Sequence, residues 1–222
     1  MCGRFAAAVD YQELAELYAA TEGSGLPRAS WNISPGQQIA LLAQDEHGQR
    51  HLNAALWNLV PPWAPSLKLD YPTHNARVES ALEKRTYGEA ARSHRALIPA
   101  SGYYEWTRAH EPYYFCSPNK EPLLIGGLYS WWRADERSPW VLTATILTRQ
   151  AEGRAAQIHD RMPVLIDPKL VDDWLDPNVD GAQILPEAAQ TGLALSAELI
   201  CWQVAPLKGD GPELTEGITL KL

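Results

Sequence analysis

Cys2 offers the least ordinary chemistry in this chain: removal of Met1 leaves its α-amino group and its thiol on adjacent carbons. A free α-amine titrates near ~7.7–8.0, so part of it is unprotonated at neutral pH and condenses with an aldehyde to an imine. Attack of sulfur on the imine carbon then closes a thiazolidine ring, which resists hydrolysis because two bonds must reopen in sequence. Cys116 and Cys201 have their nitrogens in peptide bonds and offer a thiol alone. The plainer alternative for Cys2 is an ordinary buried cysteine near the start of the chain.

Three further segments place reactive groups beside turn residues or inside apolar runs: HNARVES at 74–80, SGYYEW at 101–106 and IHDRMP at 158–163. Glu105, between Tyr104 and Trp106, is either on a solvent face or an acid whose pKa is raised in a dry site. His159 is either a structural histidine or a proton-transfer group. Asn75 is placed to cap a following helix or to act in a site. Arg77 and Arg161 read as surface ion-pair partners or as anion contacts.

The elements that must position these groups follow from periodicity. Asp10-Tyr11-Gln12-Glu13 has the pattern of an N-cap with an acid at N3, and Leu14, Leu17 and Tyr18 recur at helical spacing, which predicts a helix over 11–20. Gly23, Gly25 and Pro27 open a loop running to WNISPG at 31–36. A strand at 39–42, turn chemistry at 45–49 and a return over 52–59 predict a hairpin. Prolines at 61, 62, 65 and 72 make 60–74 an irregular excursion. A helix, split by Gly88, is expected within 79–93. Short runs at 95–99, 102–106, 113–116, 123–130 and 140–148 predict a largely antiparallel sheet system, followed by a helix at 168–175 and a strand at 200–204. The expected architecture is a single compact α+β domain over 1–222, with a curved or barrel-like β core flanked by short helices.

With 222 residues, 45% of them hydrophobic, one core is expected. An odd count of three cysteines without a CxxC pair argues against a disulfide framework or zinc site and for a reducing compartment. The N-terminus lacks signal-peptide regions and no apolar run approaches the ~18 residues of a membrane span, so a cytoplasmic, membrane-free protein is expected. A net charge of −8 weighs against an extended nucleic-acid coat. It leaves room for a small cleft of arginines, and nine tryptophans against two phenylalanines supply indoles able to stack on bases.

Taken together, MCGRF at 1–5, the NxxPG of Asn32 to Gly36, the Trp57-to-Trp63 loop, NARxE, GYYEW and IHDRMP occur in the order and at the spacing of the SRAP (SOS-response-associated peptidase) family, which the chain resembles over nearly its whole length. The resemblance implies a β-rich domain that processes abasic sites in DNA and crosslinks to them through its N-terminal cysteine. It places the nucleophile on Cys2 and the other catalytic roles on Asn75, Glu105 and His159. DNA contacts fall on Gly3, Arg4, Asn32, Pro35, Trp63, Arg77 and Arg161, the arginines toward phosphate and Pro35 and Trp63 as wedges against bases. Asn58 stands where the family more usually has glycine, and Ala64 where some members carry a second tryptophan.

The implied partner is single-stranded or junction DNA bearing an abasic site, with no cofactor and no metal. His159 and Glu105 would open the sugar hemiacetal, the Cys2 amine would form a Schiff base, and sulfur would close the ring. Interruption at the imine would give strand cleavage by β-elimination, and Met1 would leave through an aminopeptidase or by self-cleavage. The short C-terminus suggests a bacterial-type member, nucleoid-associated when on DNA and monomeric. Two other classes remain: a glutamine amidotransferase with an N-terminal cysteine, disfavoured because no Asn-Gly dipeptide is present for an oxyanion donor, and a non-catalytic nucleic-acid-binding module. A metal hydrolase fits less well, since the histidines lack ligand spacing.

Overall fold

A computed structural model describes residues 3–218, so Cys2 lies outside the described residues. The chain enters β1 (Phe5–Ala7), and Asp10 caps α1 (Tyr11–Leu17) by accepting the N–H groups of Gln12 and Glu13. This helix is three residues shorter than its periodicity predicts. Ala19 takes the left-handed conformation at φ 51°, and the chain turns into β2 (Ala20–Glu22). The expected loop before Pro35 contains β3 (Ser30–Ile33), because a partner in β1 satisfies its backbone. The predicted hairpin is β4 (Gln38–Gln44) with β5 (Arg50–Trp57). Asp45 closes its turn by accepting from His47 and Gln49.

After the proline-rich excursion comes β6 (Asn75–Arg77), so Asn75 is a strand residue and not a helix cap. Residues 79–87 form turns, and α2 (Gly88–Ser93) is the only helical part of the predicted 79–93 segment. The sheet-forming runs appear as β7 (Arg95–Ala100), β8 (Gly102–Trp106), β9 (Pro112–Cys116), β10 (Leu123–Trp132) and β11 (Val141–Gln150). The IHDRMP segment leads into β12 (Arg161–Pro163). A single 3-10 turn from Pro168 precedes α3 (Val171–Leu175), then follow α4 (Gly181–Glu198) and β13 (Ile200–Gln203). The longest described helix, α4, escapes pattern reading because Gly181, Pro186 and Gly192 look like breaks. Gly192 is there for close approach, since a Cβ would strike the Leu165 carbonyl.

Five strands close on themselves in the order β11-β10-β7-β4-β5, with a parallel β5–β11 pairing of Leu56 to Thr143 and Trp57 to Ala144 completing the ring. This is the barrel-like core of an α+β fold. A second, antiparallel sheet runs β13-β9-β8-β1-β3. Alternation along the barrel strands separates two buried faces. Ile39, Leu41, Trp57, Ile98, Ile125 and Ile146 pack with Phe5, Tyr103 and Phe115 of the second sheet. Leu42, Leu52, Leu97 and Leu128 pack instead with Leu14, Leu175, Ile184 and Leu185 of the helices. No helix among the described residues is long and apolar enough to cross a membrane.

Candidate active site and nucleic-acid interface

The site is organised by two strands. β8 sits between β1 and β9, with Tyr103 opposite Phe5 and the Tyr104 N–H donating to the Arg4 carbonyl at 3.0 Å, so the chain entering β1 runs beside the outer half of β8. Gly102 opens β8 because a Cβ there would collide with Phe115 O and the Tyr114 ring. At its far end Glu105 is only 3% exposed. Burial pushes its carboxyl up to about 7, the Trp106 backbone N–H pulls against this, and the Asp160 charge adds to the rise. A carboxyl that titrates near neutrality can give or take a proton at physiological pH.

The second organiser is β11, which carries β5 and then β6 along one edge and β10 and then β12 along the other. Asn75 lies opposite Ile146, and Arg77 lies opposite Thr148, which also faces Pro163 of β12. Thr148 therefore joins the NARVE and IHDRMP segments. Trp57, fully buried, ties this region to β1: its indole N–H donates to the His74 carbonyl at 2.8 Å while its ring meets Phe5 edge-on at 5.0 Å. The Tyr87 hydroxyl holds the Asn75 carbonyl at 3.1 Å.

His159 follows the 3-10 turn Ala155–Gln157. Its Nδ1 accepts the Arg161 backbone N–H at 2.9 Å, and Asp160 Oδ1 lies 2.9 Å from the same nitrogen. Burial holds the imidazole below its ordinary pKa against the pull of Asp160, which favours the uncharged ring. His159 shares with Trp106, Arg108 and His110 an open cleft of about 820 Å³ between the β8–β9 hairpin and the 155–160 turn. Glu105, one residue before Trp106, thus lies in the neighbourhood of His159 and Asp160.

The expected DNA contacts separate into held and free groups. Arg4 Nη1 donates to Asn32 Oδ1 at 2.6 Å, and the Asn32 amide donates onward to the Gly209 carbonyl at 2.6 Å, so Asn32 aims Arg4. Pro35 lines a separate groove of about 560 Å³ with Gly36, Asn58, Tyr71 and His74. Trp63 stands exposed outside that lining, with the Arg85 guanidinium 4.1 Å from its ring centre. Arg77 is exposed, whereas Arg161 is buried and its guanidinium already grips Glu79 with two hydrogen bonds, of 2.8 and 2.9 Å. Pattern reading assigns no role to Glu79, Trp57 or Tyr104, whose hydroxyl holds the Trp31 carbonyl at 2.8 Å. Their partners are 82, 17 and 73 residues away, so the motifs that contain them do not reveal what they hold. Among the described residues no group of three or more metal-ligating side chains is assembled.

A family model described as SOS response associated peptidase (SRAP) matches residues 1–207. The chain belongs to the SRAP family. Among its relatives, the Bacillus subtilis protein named abasic site processing protein YoqW is 31% identical over 97% of this chain and 99% of its own length. The Escherichia coli protein named abasic site processing protein YedK is 27% identical over 98% of this chain and 100% of its own. A crystal structure of a Bacteroides thetaiotaomicron protein superposes with a TM-score of 0.80 at 17% identity, over 98% of this chain and 100% of that one, a likeness of fold. The SRAP match begins at residue 1 and takes in the segments carrying Cys2, Asn75, Glu105 and His159.

Proposed function

We propose that this SRAP chain processes abasic sites in DNA by capturing the ring-opened sugar aldehyde on Cys2. The observation that carries the reading is Glu105, a buried carboxyl titrating near 7 on the strand beside the one that Gly3 and Arg4 lead into. The amine adds to C1′, Glu105 protonates the departing hydroxyl, and water leaves with formation of the imine. Addition of the thiol across the C=N bond, with its proton passing to nitrogen, closes the thiazolidine. The net change is aldehyde plus aminothiol to ring plus one water. His159 assists opening of the hemiacetal, and Asn75 fixes the sugar or the Cys2 backbone. A single domain over 1–222 carries the reaction.

Arg4, with Gly3 beside it and Asn32 behind it, and the exposed Arg77 meet backbone phosphates, and Pro35 and Trp63 meet bases. Since single strands present their base faces directly, single-stranded or junction DNA suits such a surface better than continuous duplex. Strand scission by β-elimination is the side reaction of the imine. Met1 leaves through an aminopeptidase or by self-cleavage, and self-cleavage is the one peptidase step the reading contains.

The test is a denaturing gel of Met1-free protein incubated with a single strand carrying one abasic site, beside Cys2→Ala and an intact strand. A heat-resistant shifted band only for wild type with the lesion is expected. No band, or an undiminished band with Cys2→Ala, would overturn the proposal. Cys2→Ser keeps the amine but closes poorly, so it is expected to be trapped by borohydride and to cleave the strand.

A further inference from the structure

Glu79 and Arg161 form a pair whose geometry exceeds what a surface ion bridge requires. Both prongs of the Arg161 fork meet the Glu79 carboxylate, Nη2 also donates to the Thr148 carbonyl at 2.7 Å, and Glu79 Oε1 accepts the Gln150 N–H at 3.1 Å. The Arg161 side chain is 10% exposed against 48% for Glu79, so the carboxylate covers the fork from the solvent side. Burial works against the Glu79 charge, yet the Arg161 fork and the Gln150 N–H hold its carboxyl below the usual range. Bidentate pairs of this kind fix direction as well as distance. What they fix is β12 against β11, and with it the backbone N–H of Arg161.

That N–H is the donor to His159 Nδ1. A neutral imidazole carries one proton, so accepting at Nδ1 leaves the proton on Nε2. The competing state puts the proton on Nδ1 toward Asp160 and turns Nε2 into a base. Asp160 is 83% exposed, so water weakens its claim, whereas the amide donor is anchored by the sheet. We propose that Glu79 is a positioning residue that, through Arg161, holds neutral His159 in the tautomer presenting an Nε2–H donor to the sugar, so that the histidine polarises an oxygen and does not act as a base. The inference about the tautomer stands on the chain itself, and its consequence for rate rests on the aldehyde-capture reading above.

The experiment is nitrogen-15 NMR of the His159 ring in the full chain at pH 8, on wild type, Glu79→Gln and Asp160→Asn. Wild type and Asp160→Asn are expected to show a protonated Nε2 and a bare Nδ1, and Glu79→Gln a mixture. In parallel, Glu79→Gln is expected to slow crosslinking about 5–10-fold while binding of an intact single strand stays within about a factor of 2. A protonated Nδ1 in wild type, or an unchanged ring in Glu79→Gln, overturns the inference. So does a several-fold gain in strand affinity, which would make Glu79 a shield over a phosphate site. If Glu79→Gln unfolds, Glu79→Asp keeps the charge but cannot reach both prongs, and the same ring signature decides. Absence of crosslinking by wild type would refute the aldehyde reading and leave the tautomer result standing.

Discussion

Arg95 and Glu105 are both ionisable and both nearly inaccessible, at 1% and 3% exposure, yet the fold treats them in opposite ways. Around Arg95 it supplies backbone carbonyls from the ends of α2 and α3 and the turn beyond: Trp174 at 2.9 Å, Val179 at 3.0 Å, and Ala91, Arg92 and Asp176. These oxygens are the groups that helix C-termini leave unsatisfied, so one guanidinium completes two helix ends; burial lowers its pKa from the ordinary arginine value, and the nearby Asp176 and Asp180 charges work against that shift. Around Glu105 burial disfavours the charge and raises the pKa to about 7. A buried charge that is fully met is architecture, and one held near its titration point is chemistry.

The largest expected effect is on the architectural side. Arg95→Met fills similar space but strands several carbonyls, and a loss of about 3–5 kcal/mol is expected by urea denaturation. Arg95→Lys is expected to recover little, because three donors cannot serve five acceptors on two helices. A loss under 1 kcal/mol would break the contrast, since it would mean that water replaces the guanidinium at no cost.

Next comes Glu105, where the sign reverses. The folded protein keeps this proton up to about pH 7, whereas the ordinary value is 4.5. Stability from the group is therefore complete below about pH 4.5 and is lost as pH rises through 7, reaching about 3 kcal/mol above that. Glu105→Gln, which is never ionised, is expected to match wild type at pH 4 and to exceed it by up to about 3 kcal/mol at pH 8.5, while crosslinking falls about 10²–10⁴-fold. Equal stability change at both pH values would show that the residue is structural.

The same contrast explains what the sequence discloses. Elements ruled by local periodicity are legible: the Asp10 cap, the hairpin at 38–57 and β8 at 102–106 appear where pattern puts them. Elements that owe their existence to a distant partner are not. β3 is a strand because β1 lies beside it, β6 because β11 does, and α4 persists through its glycines because Leu165 and Ala91 need the close approach. Candidate reactive groups, being rare residue types in odd settings, stand out locally. The groups that aim them, Asn32 behind Arg4 and Glu79 behind Arg161, become visible only once contacts between residues 28 and 82 apart are known.

Trp57 tests the link between the two organising strands at intermediate size. Trp57→Phe keeps an aromatic edge for Phe5 but loses the indole donor to the His74 carbonyl, which then keeps only the Ile146 N–H at 2.9 Å, and it leaves a gap where the larger ring was fully buried. About 2 kcal/mol of stability is expected to go, with a pH-independent fall in crosslinking as Asn75 loses its register. A fall seen only at high pH would move the cause to Glu105.

The smallest effect concerns the periphery, where the charge stands exposed. Arg85 lies over the exposed Trp63 ring at 4.1 Å, so one face of the indole is already covered. A nucleobase reaching Trp63 has the other face, sandwiching the ring with a cation that also meets phosphate. Arg85→Ala is expected to weaken binding of an intact single strand by about 2–5-fold, or about 0.5–1 kcal/mol, and to flatten its salt dependence. Thermal stability should hardly move, because an exposed stack of this kind is hydrated in both states. If Arg85→Ala tightens binding instead, the guanidinium is a competitor for the ring and not a partner of the strand, and Trp63 would then take bases on the face that Arg85 now occupies.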